Sequence, residues 1–107
     1  MYVQIITLQA PLGKIGQLRQ LINDEYLPAL QLRNGFRGAH LLEQVDYRDN
    51  AKLIIFWKDH ASSEDTSNTG VLTGSEHSIA ARIPGLRIQR QSYITNVRAE
   101  HAATTRV

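Results

Sequence analysis

Histidine, tyrosine and tryptophan are the residue types in this sequence that could take part in chemistry near neutral pH. The chain has four histidines, four tyrosines and one tryptophan, and it has no cysteine. An unperturbed imidazole has a pKa of about 6.5 and can therefore accept or release a proton at neutral pH. Because cysteine is absent, thiol nucleophiles, disulfides and cysteine-ligated metal sites are excluded. The residue types that are present allow acid–base chemistry by an imidazole or a phenol.

Motifs of several other enzyme classes are absent from the sequence. There is no Gly-x-Ser-x-Gly turn to hold a hydrolase nucleophile. The glycines near Gly13 and from Gly70 to Gly74 lack the Lys-Ser/Thr pair of a phosphate-binding loop. No two histidines are four residues apart, and we expect no histidine to pair with a carboxylate at helical spacing. We therefore predict no metal site.

The length and composition predict one folded domain. A chain of 107 residues has room for a single hydrophobic core. The formal charge is only +2, and the arginines are dispersed, so no basic arm for nucleic acid is predicted. No apolar run is long enough to cross a bilayer, and the first residues lack the features of a signal peptide. We expect a cytoplasmic protein without membrane contact.

Strand and helix patterns alternate along the chain. Segments rich in β-branched and aromatic residues predict four strands, at residues 2–9, 39–47, 51–58 and 86–97. Apolar residues three and four apart predict a helix from about residue 14 to residue 33. Pro28 should kink or shorten this helix, and Asn34-Gly35 should end it.

The segment between the third and fourth strands predicts a broken helix. Ser62 and Ser75 each fit the cap of one piece. The second piece places Ile79 and Ile83 on one face, where they would pack on the sheet.

This order of elements predicts an α+β fold of the ferredoxin-like βαββαβ type, with helices on one face of an antiparallel sheet. The first and third strands are apolar on both faces, so the second face also needs a cover. A second copy of the chain would provide it in a two-fold homodimer, burying on the order of 1,600 Å². In this prediction residues 1–98 form the domain, and residues 99–107 form a flexible tail or an arm that reaches the partner.

Three stretches carry a resemblance to a known family. The segments "YLPALQLRNGFRGAHLL", "LIIFWKD" and "GSEHSIAARIPGL" resemble the antibiotic biosynthesis monooxygenases, a family of dimeric α/β barrels. Over residues 2–97 the resemblance implies this fold and a pocket between sheet and helices. It also implies oxygenation of an aromatic, polyketide or quinol-like small molecule without a cofactor. Some relatives have no known activity, so a catalytically silent homodimer that binds a small ligand is the alternative.

The resemblance also implies roles for two residues. Trp57 matches a tryptophan that ends the third strand and borders the substrate in oxygenating members. His77 matches a histidine of the second helix that would act as the general base. Trp57 could instead be a packing residue of the core or of an interface. His77 could instead be a surface or capping residue. His60 is expected in the loop that leads into a helix.

Tyr26, Tyr93 and His40 complete the predicted site as substrate-binding residues.

Two sequence patterns that occur in branches of the family are missing here. The asparagine and histidine of the haem-degrading branch are absent, so we exclude haem degradation, and no tyrosine soon follows the tryptophan as it does in polyketide-oxygenating members. An RNA-recognition sheet is a further alternative, since Phe56 and Trp57 lie on the third strand, but its glycines and a basic cluster are missing.

Overall fold

The computed structural model describes residues 1–101 of the chain. Its elements are β1 (Tyr2–Gln9), α1 (Ile15–Leu21), a π-helical turn (Ile22–Tyr26), α2 (Leu27–Gln31), β2 (Phe36–Glu43), β3 (Asn50–Trp57), α3 (His60–Thr69), α4 (Val71–Arg82) and β4 (Arg87–Ile94). The strands form one antiparallel sheet in the order β2-β3-β1-β4. The predicted α+β, ferredoxin-like fold is confirmed.

The core lies between the helices and one face of the sheet. On the central strands Ile6 opposes Leu53 and Leu8 opposes Ala51, and all four side chains are buried. Apolar residues of the helices pack onto this face, and the buried ones among them are Leu18, Ile22, Tyr26, Leu30, Leu72 and Ile79. The predicted apolar stripe of the first helix and the inward position of Ile79 are confirmed.

The first helix continues past Pro28 to Gln31. A π-helical turn, Ile22–Tyr26, comes just before the proline. Pro28 offers no N–H to the carbonyl of Asp24, and its ring would crowd that carbonyl in a regular α-helix. The wider turn accommodates the ring, and wide turns of this kind occur often at functional sites.

The helix between β3 and β4 is broken, but the predicted caps were wrong. Asp59 caps α3, because its side chain accepts a hydrogen bond from the backbone N–H of Ser62 at 2.8 Å. Gly70 divides the two helices in a left-handed conformation, with φ of 73°, and α4 begins directly after it. Ser75 therefore lies inside α4 instead of capping it. A glycine in this conformation ends a helix efficiently because it has no Cβ to clash.

Two strand boundaries also differ from the predictions. β2 begins at Phe36 and ends at Glu43, and the turn that follows is closed by backbone bonds from Asn50 to Tyr47 and from Gln44 to Asn50, each 2.9 Å long. The predicted strand therefore included residues that form the turn. β4 ends at Ile94, before the predicted end at residue 97.

The second face of the sheet has no cover within residues 1–101. Its central apolar side chains, Val3, Ile5, Ile54 and Phe56, are only half-buried. Tyr93 shares this face, as its register with Val3 requires, and it is exposed. Residues 99–101 are exposed, and the remainder of the predicted arm, 102–107, lies outside the described residues. No helix within 1–101 is both long and apolar enough to span a membrane.

Candidate functional site

Tyr26, Glu76 and Arg90 form a buried polar cluster between the helices and the sheet. The Tyr26 hydroxyl donates a hydrogen bond to Glu76 Oε2 at 2.9 Å. The Arg90 guanidinium forms an ion pair with Glu76 Oε1. Tyr26 is 3% exposed and Glu76 is 9% exposed, whereas the Arg90 side chain is half exposed. The cluster therefore joins the interior to the surface through the arginine.

Three separate elements bring these side chains together. Tyr26 is the last residue of the π-helical turn, and Glu76 lies on the buried side of α4 with Leu72 and Ile79. Arg90 opposes Ile6 in the register of β4 with β1, so it lies on the face of the sheet that the helices cover. Because β4 is an edge strand, its arginine can reach the carboxylate from the side and keep contact with water.

The protonation state of Tyr26 follows from its burial. Burial raises the pKa of Tyr26 from 10.0 to about 12, and the positive charge of Arg90 only partly opposes that rise. At neutral pH the phenol is therefore protonated and acts as the donor to Glu76.

A small cavity adjoins the cluster. Its volume is about 20 Å³, its surface is apolar throughout, and its walls include Ile6, Leu53, Ile79 and Ile88 beside Tyr26 and Glu76. Small-molecule pockets typically measure roughly 300–1,000 Å³. The space between sheet and helices is thus far too small for an aromatic substrate.

Beyond Ile88 the edge strand β4 leaves the cover of the helices. Arg90, Ser92 and Ile94 lie on the same face of β4 as Ile88, and all three are exposed. Their neighbours on β1, Gln4 and Tyr2, are half-buried. We call this surface, Arg90, Ser92 and Ile94 with Gln4 and Tyr2, the β4 shelf. It is where a planar molecule could lie with one end beside Glu76.

Trp57 is fully buried in the core and does not line the cavity. Its ring packs edge-to-face on Phe36, with centroids 6.0 Å apart. Its indole N–H donates to Gln4 Oε1 at 2.9 Å, so the tryptophan holds a residue of the β4 shelf. Because an indole nitrogen can only donate, this bond also fixes which end of the Gln4 amide faces Trp57.

His77 and Trp57 are not brought together. His77 is exposed on the outer side of α4, whereas its neighbour Glu76 is buried. Its predicted role as a base stays a prediction. His60 is the first residue of α3, and its ring lies 4.9 Å from that of Tyr2.

The histidine spacing contains one pair that we did not expect. His60 Nε2 lies 3.2 Å from Glu64 Oε1, four residues further along α3. The expectation that no histidine pairs with a carboxylate at helical spacing was therefore wrong. Within residues 1–101 this pair gains no third acidic or histidine side chain in reach of a common metal ion.

His40 and Tyr93 lie on the opposite face of the sheet from Tyr26. His40 packs edge-to-face on Phe56, with centroids 6.0 Å apart, and the Tyr93 hydroxyl donates to Gln91 at 2.9 Å. The sheet therefore separates these two predicted substrate-binding residues from the third. A concavity of about 450 Å³ also lies at one end of this face, near Thr7 and Leu42.

Glu76 and Arg90 were not among the predicted site residues. Glu76 belongs to the quoted segment "GSEHSIAARIPGL", three residues before Ile79, so it shares the buried side of the helix. A carboxylate at a core-facing position was the signal that could have found it, because buried charges are rare unless they are paired. Arg90 carries no comparable signal, since edge strands often carry charges.

Several solved structures of other proteins share the fold of this chain. A candidate antibiotic biosynthesis monooxygenase from Deinococcus radiodurans matches with a TM-score of 0.80 and 13% identity, covering 96% of this chain and 100% of that one. SnoaB, a cofactor-independent oxygenase from Streptomyces nogalater, matches in a mutant form with a TM-score of 0.77 and 12% identity, covering 94% and 98%. A mutant of MhuD, solved with two manganese protoporphyrin IX molecules per active site, matches with a TM-score of 0.72 and 16% identity, covering 94% and 100%.

This chain has the fold of the antibiotic biosynthesis monooxygenases. The predicted resemblance is confirmed in that sense. No protein-family model matches the sequence, and no curated protein matches it either. At identities of 11–16% the likeness concerns the fold alone, and any activity has to be argued from the site.

Proposed function

We propose that this protein is a cofactor-independent monooxygenase of a small aromatic or quinol-like molecule. The observation that carries the proposal is the buried carboxylate of Glu76, held by Tyr26 and Arg90 next to apolar space. Burying a carboxylate is costly even when it is paired, and groups of this kind concentrate at functional sites. The fold shared with SnoaB, which is a cofactor-independent oxygenase, supports the same class of reaction.

The proposed substrate lies on the β4 shelf with an acidic C–H group, activated by a neighbouring carbonyl or phenol, beside Glu76. Glu76 accepts the proton, and the Arg90 guanidinium stabilises the oxyanion that forms. The resulting carbanion passes one electron to dioxygen, and the two radicals combine to a peroxide anion, which takes the proton back from Glu76 and becomes a hydroperoxide. Loss of water then leaves a carbonyl, so one oxygen atom enters the product and the other leaves as water. The CH₂ group supplies all four electrons, and no other reductant is needed.

Tyr26 and Trp57 have supporting roles in this proposal. The Tyr26 phenol orients the Glu76 carboxylate through the 2.9 Å hydrogen bond. Trp57 holds Gln4 on the shelf through its indole N–H. His77 is the rival base that the family resemblance suggests, and its exposed position makes Glu76 the better candidate.

We also propose that a second copy of the chain covers the open face of the sheet. The half-buried Val3, Ile5, Ile54 and Phe56 form a continuous apolar area there, because they occupy neighbouring positions on β1 and β3. Exposed apolar patches of this kind usually mark an interface. A homodimer would place His40 and Tyr93 in the interface and leave the β4 shelf on the helical side.

Oxygen uptake by the purified protein with a panel of anthrones and quinols tests the function. We expect uptake above the uncatalysed rate and one labelled oxygen atom in the product under ¹⁸O₂. No uptake by the folded protein with any member of the panel would contradict the proposal.

The size of the cavity favours one second candidate, a catalytically silent homodimer. The space of about 20 Å³ between sheet and helices is too small for an aromatic ligand. A catalytically silent homodimer would have a packed core of this kind. In that case Glu76 and Arg90 would only connect α4 to β4. The same panel of substrates separates the two candidates, because a silent homodimer would leave the rate of oxygen uptake unchanged.

A further inference from the structure

The apolar cavity beside Glu76 has the size of a single small molecule. A cavity needs roughly 10–15 Å³ of accessible space to hold one water molecule, and this one has about 20 Å³. Its volume therefore suits a water molecule or a diatomic gas.

The chemistry of the walls decides between these two occupants. A buried water molecule needs about two to four polar partners, whereas the surface of this cavity is apolar throughout. Tyr26 and Glu76 contribute to the wall, but the Tyr26 hydroxyl already donates a hydrogen bond to Glu76, and Glu76 also pairs with Arg90. The cavity is open on one side, but its apolar surface offers water no hydrogen-bond partner and accepts apolar guests.

We infer that this cavity is the dioxygen site of the proposed reaction, an inference that rests on the proposed function. Dioxygen is apolar and diatomic, and it is the co-substrate that the reaction consumes. Glu76 and Ile88 line the cavity, and the β4 shelf continues from Ile88 along the same face of β4 through the exposed Arg90. A carbanion formed beside Glu76 therefore lies next to the cavity and its dioxygen. The space that is too small for the organic substrate has the right size for the other reactant.

Dioxygen itself is the probe for binding, because it is paramagnetic. Methyl relaxation is measured by NMR under pressurised dioxygen and under argon. We expect enhanced relaxation at the methyl groups of Ile79, Ile88 and Leu53, which line the cavity. The control methyls are those of Leu30 and Ile83, which are fully buried but do not line it. Equal enhancement at all five residues would overturn the inference, whether or not the protein turns over any substrate.

A filling variant tests whether the bound gas is used. Ile88→Phe places a larger side chain in the cavity from the half-buried position of Ile88 on β4. Leu32→Phe is the control, because Leu32 is exposed beyond the end of α2 and lines neither the cavity nor the β4 shelf. We expect Ile88→Phe to raise KM for dioxygen about tenfold, with KM for the organic substrate unchanged, and Leu32→Phe to leave KM for dioxygen unchanged.

The outcomes separate this inference from the proposed function. Turnover with an unchanged KM for dioxygen in Ile88→Phe would overturn the inference and leave the function standing. Localised relaxation without turnover of any substrate would support the dioxygen site and contradict the function. If Ile88→Phe does not fold, Leu86→Phe fills the same cavity from the residue just before β4.

Discussion

The hydroxyl of Tyr26 and the carboxylate of Glu76, fifty residues apart in the sequence, meet at 2.9 Å inside the protein. The bond connects the π-helical turn to α4, and both residues line the apolar cavity. A buried acceptor that loses its donor costs roughly 1–3 kcal/mol. This pair therefore matters for stability whether or not it takes part in catalysis.

Tyr26→Phe should make stability less sensitive to alkaline pH. The folded protein holds the phenolic proton more tightly than the unfolded chain, because burial raises the pKa of Tyr26 from 10.0 to about 12. The contribution of Tyr26 is complete below pH 10 and is lost as the pH rises toward 12, by about 2–3 kcal/mol. Urea unfolding of both proteins across this range measures the difference. A constant gap between wild type and variant would contradict the buried phenol.

Gly35→Ala should destabilise the fold more than Gly13→Ala. Both glycines have φ of 80°, so both substitutions carry the strain of a left-handed alanine, roughly 1–2 kcal/mol. At Gly35 the new Cβ would also lie 2.1 Å from Ser62 Oγ at the start of α3, whereas at Gly13 nothing lies within 4 Å. Thermal unfolding compares the two variants. Equal loss of stability would mean that the turn before β2 does not approach α3 this closely.

Asp59→Ala should weaken the start of α3 in a pH-dependent manner. The hydrogen bonds from the backbone and the hydroxyl of Ser62 hold the pKa of Asp59 below its ordinary value of 3.8. The cap therefore stabilises the fold above that pH, and its contribution disappears as the pH falls through the lowered pKa.

Unfolding midpoints at neutral and at acidic pH test this cap. The unfolding midpoint of wild type should exceed that of Asp59→Ala at neutral pH, and this difference should disappear in acid. The uncharged cap of Asp59→Asn should show no such dependence on pH. A difference between wild type and Asp59→Ala that does not change with pH would contradict the assigned cap.

Phe56→Glu should dissociate the proposed homodimer. The substitution puts a carboxylate in the centre of the open face, where burial against a partner would remove its hydration. Leu32→Glu is the control, because Leu32 is 83% exposed beyond the end of α2. Light scattering at micromolar concentration should give twice the mass of the 12.1 kDa chain for wild type and Leu32→Glu, and the single mass for Phe56→Glu. A monomeric wild-type protein would contradict the proposal.

Local sequence patterns predicted the fold because they report local physics. The alternation in "YVQIITLQ" and the helical spacing of Leu18, Ile22 and Leu30 each reflect a face that must be buried. The cap of α3 was missed because Asp59 and Ser62 both fit a capping position, and only the backbone geometry distinguishes them.

The candidate site was harder to predict because it depends on contacts between distant segments. Tyr26 was predicted, but its partners come from α4 and β4, and no spacing rule connects them. The family resemblance drew attention to His77, one residue from Glu76, and a shift of one residue on a helix turns a side chain by about 100°. Tyr93 and His40 lie on the face of the sheet that the helices leave open, because successive side chains of a strand point to opposite faces.

The adjacent residues Glu76 and His77 offer the most direct test of the central claim. Oxygen uptake is measured with the best substrate of the panel for wild type, Glu76→Gln and His77→Ala, each with its fold verified by circular dichroism. Glutamine can still accept the Tyr26 hydrogen bond but cannot take up the substrate proton. We predict that Glu76→Gln lowers kcat at least about a hundredfold and that His77→Ala changes it less than about twofold. An active Glu76→Gln variant beside an inactive His77→Ala variant would contradict the account and assign the base to His77.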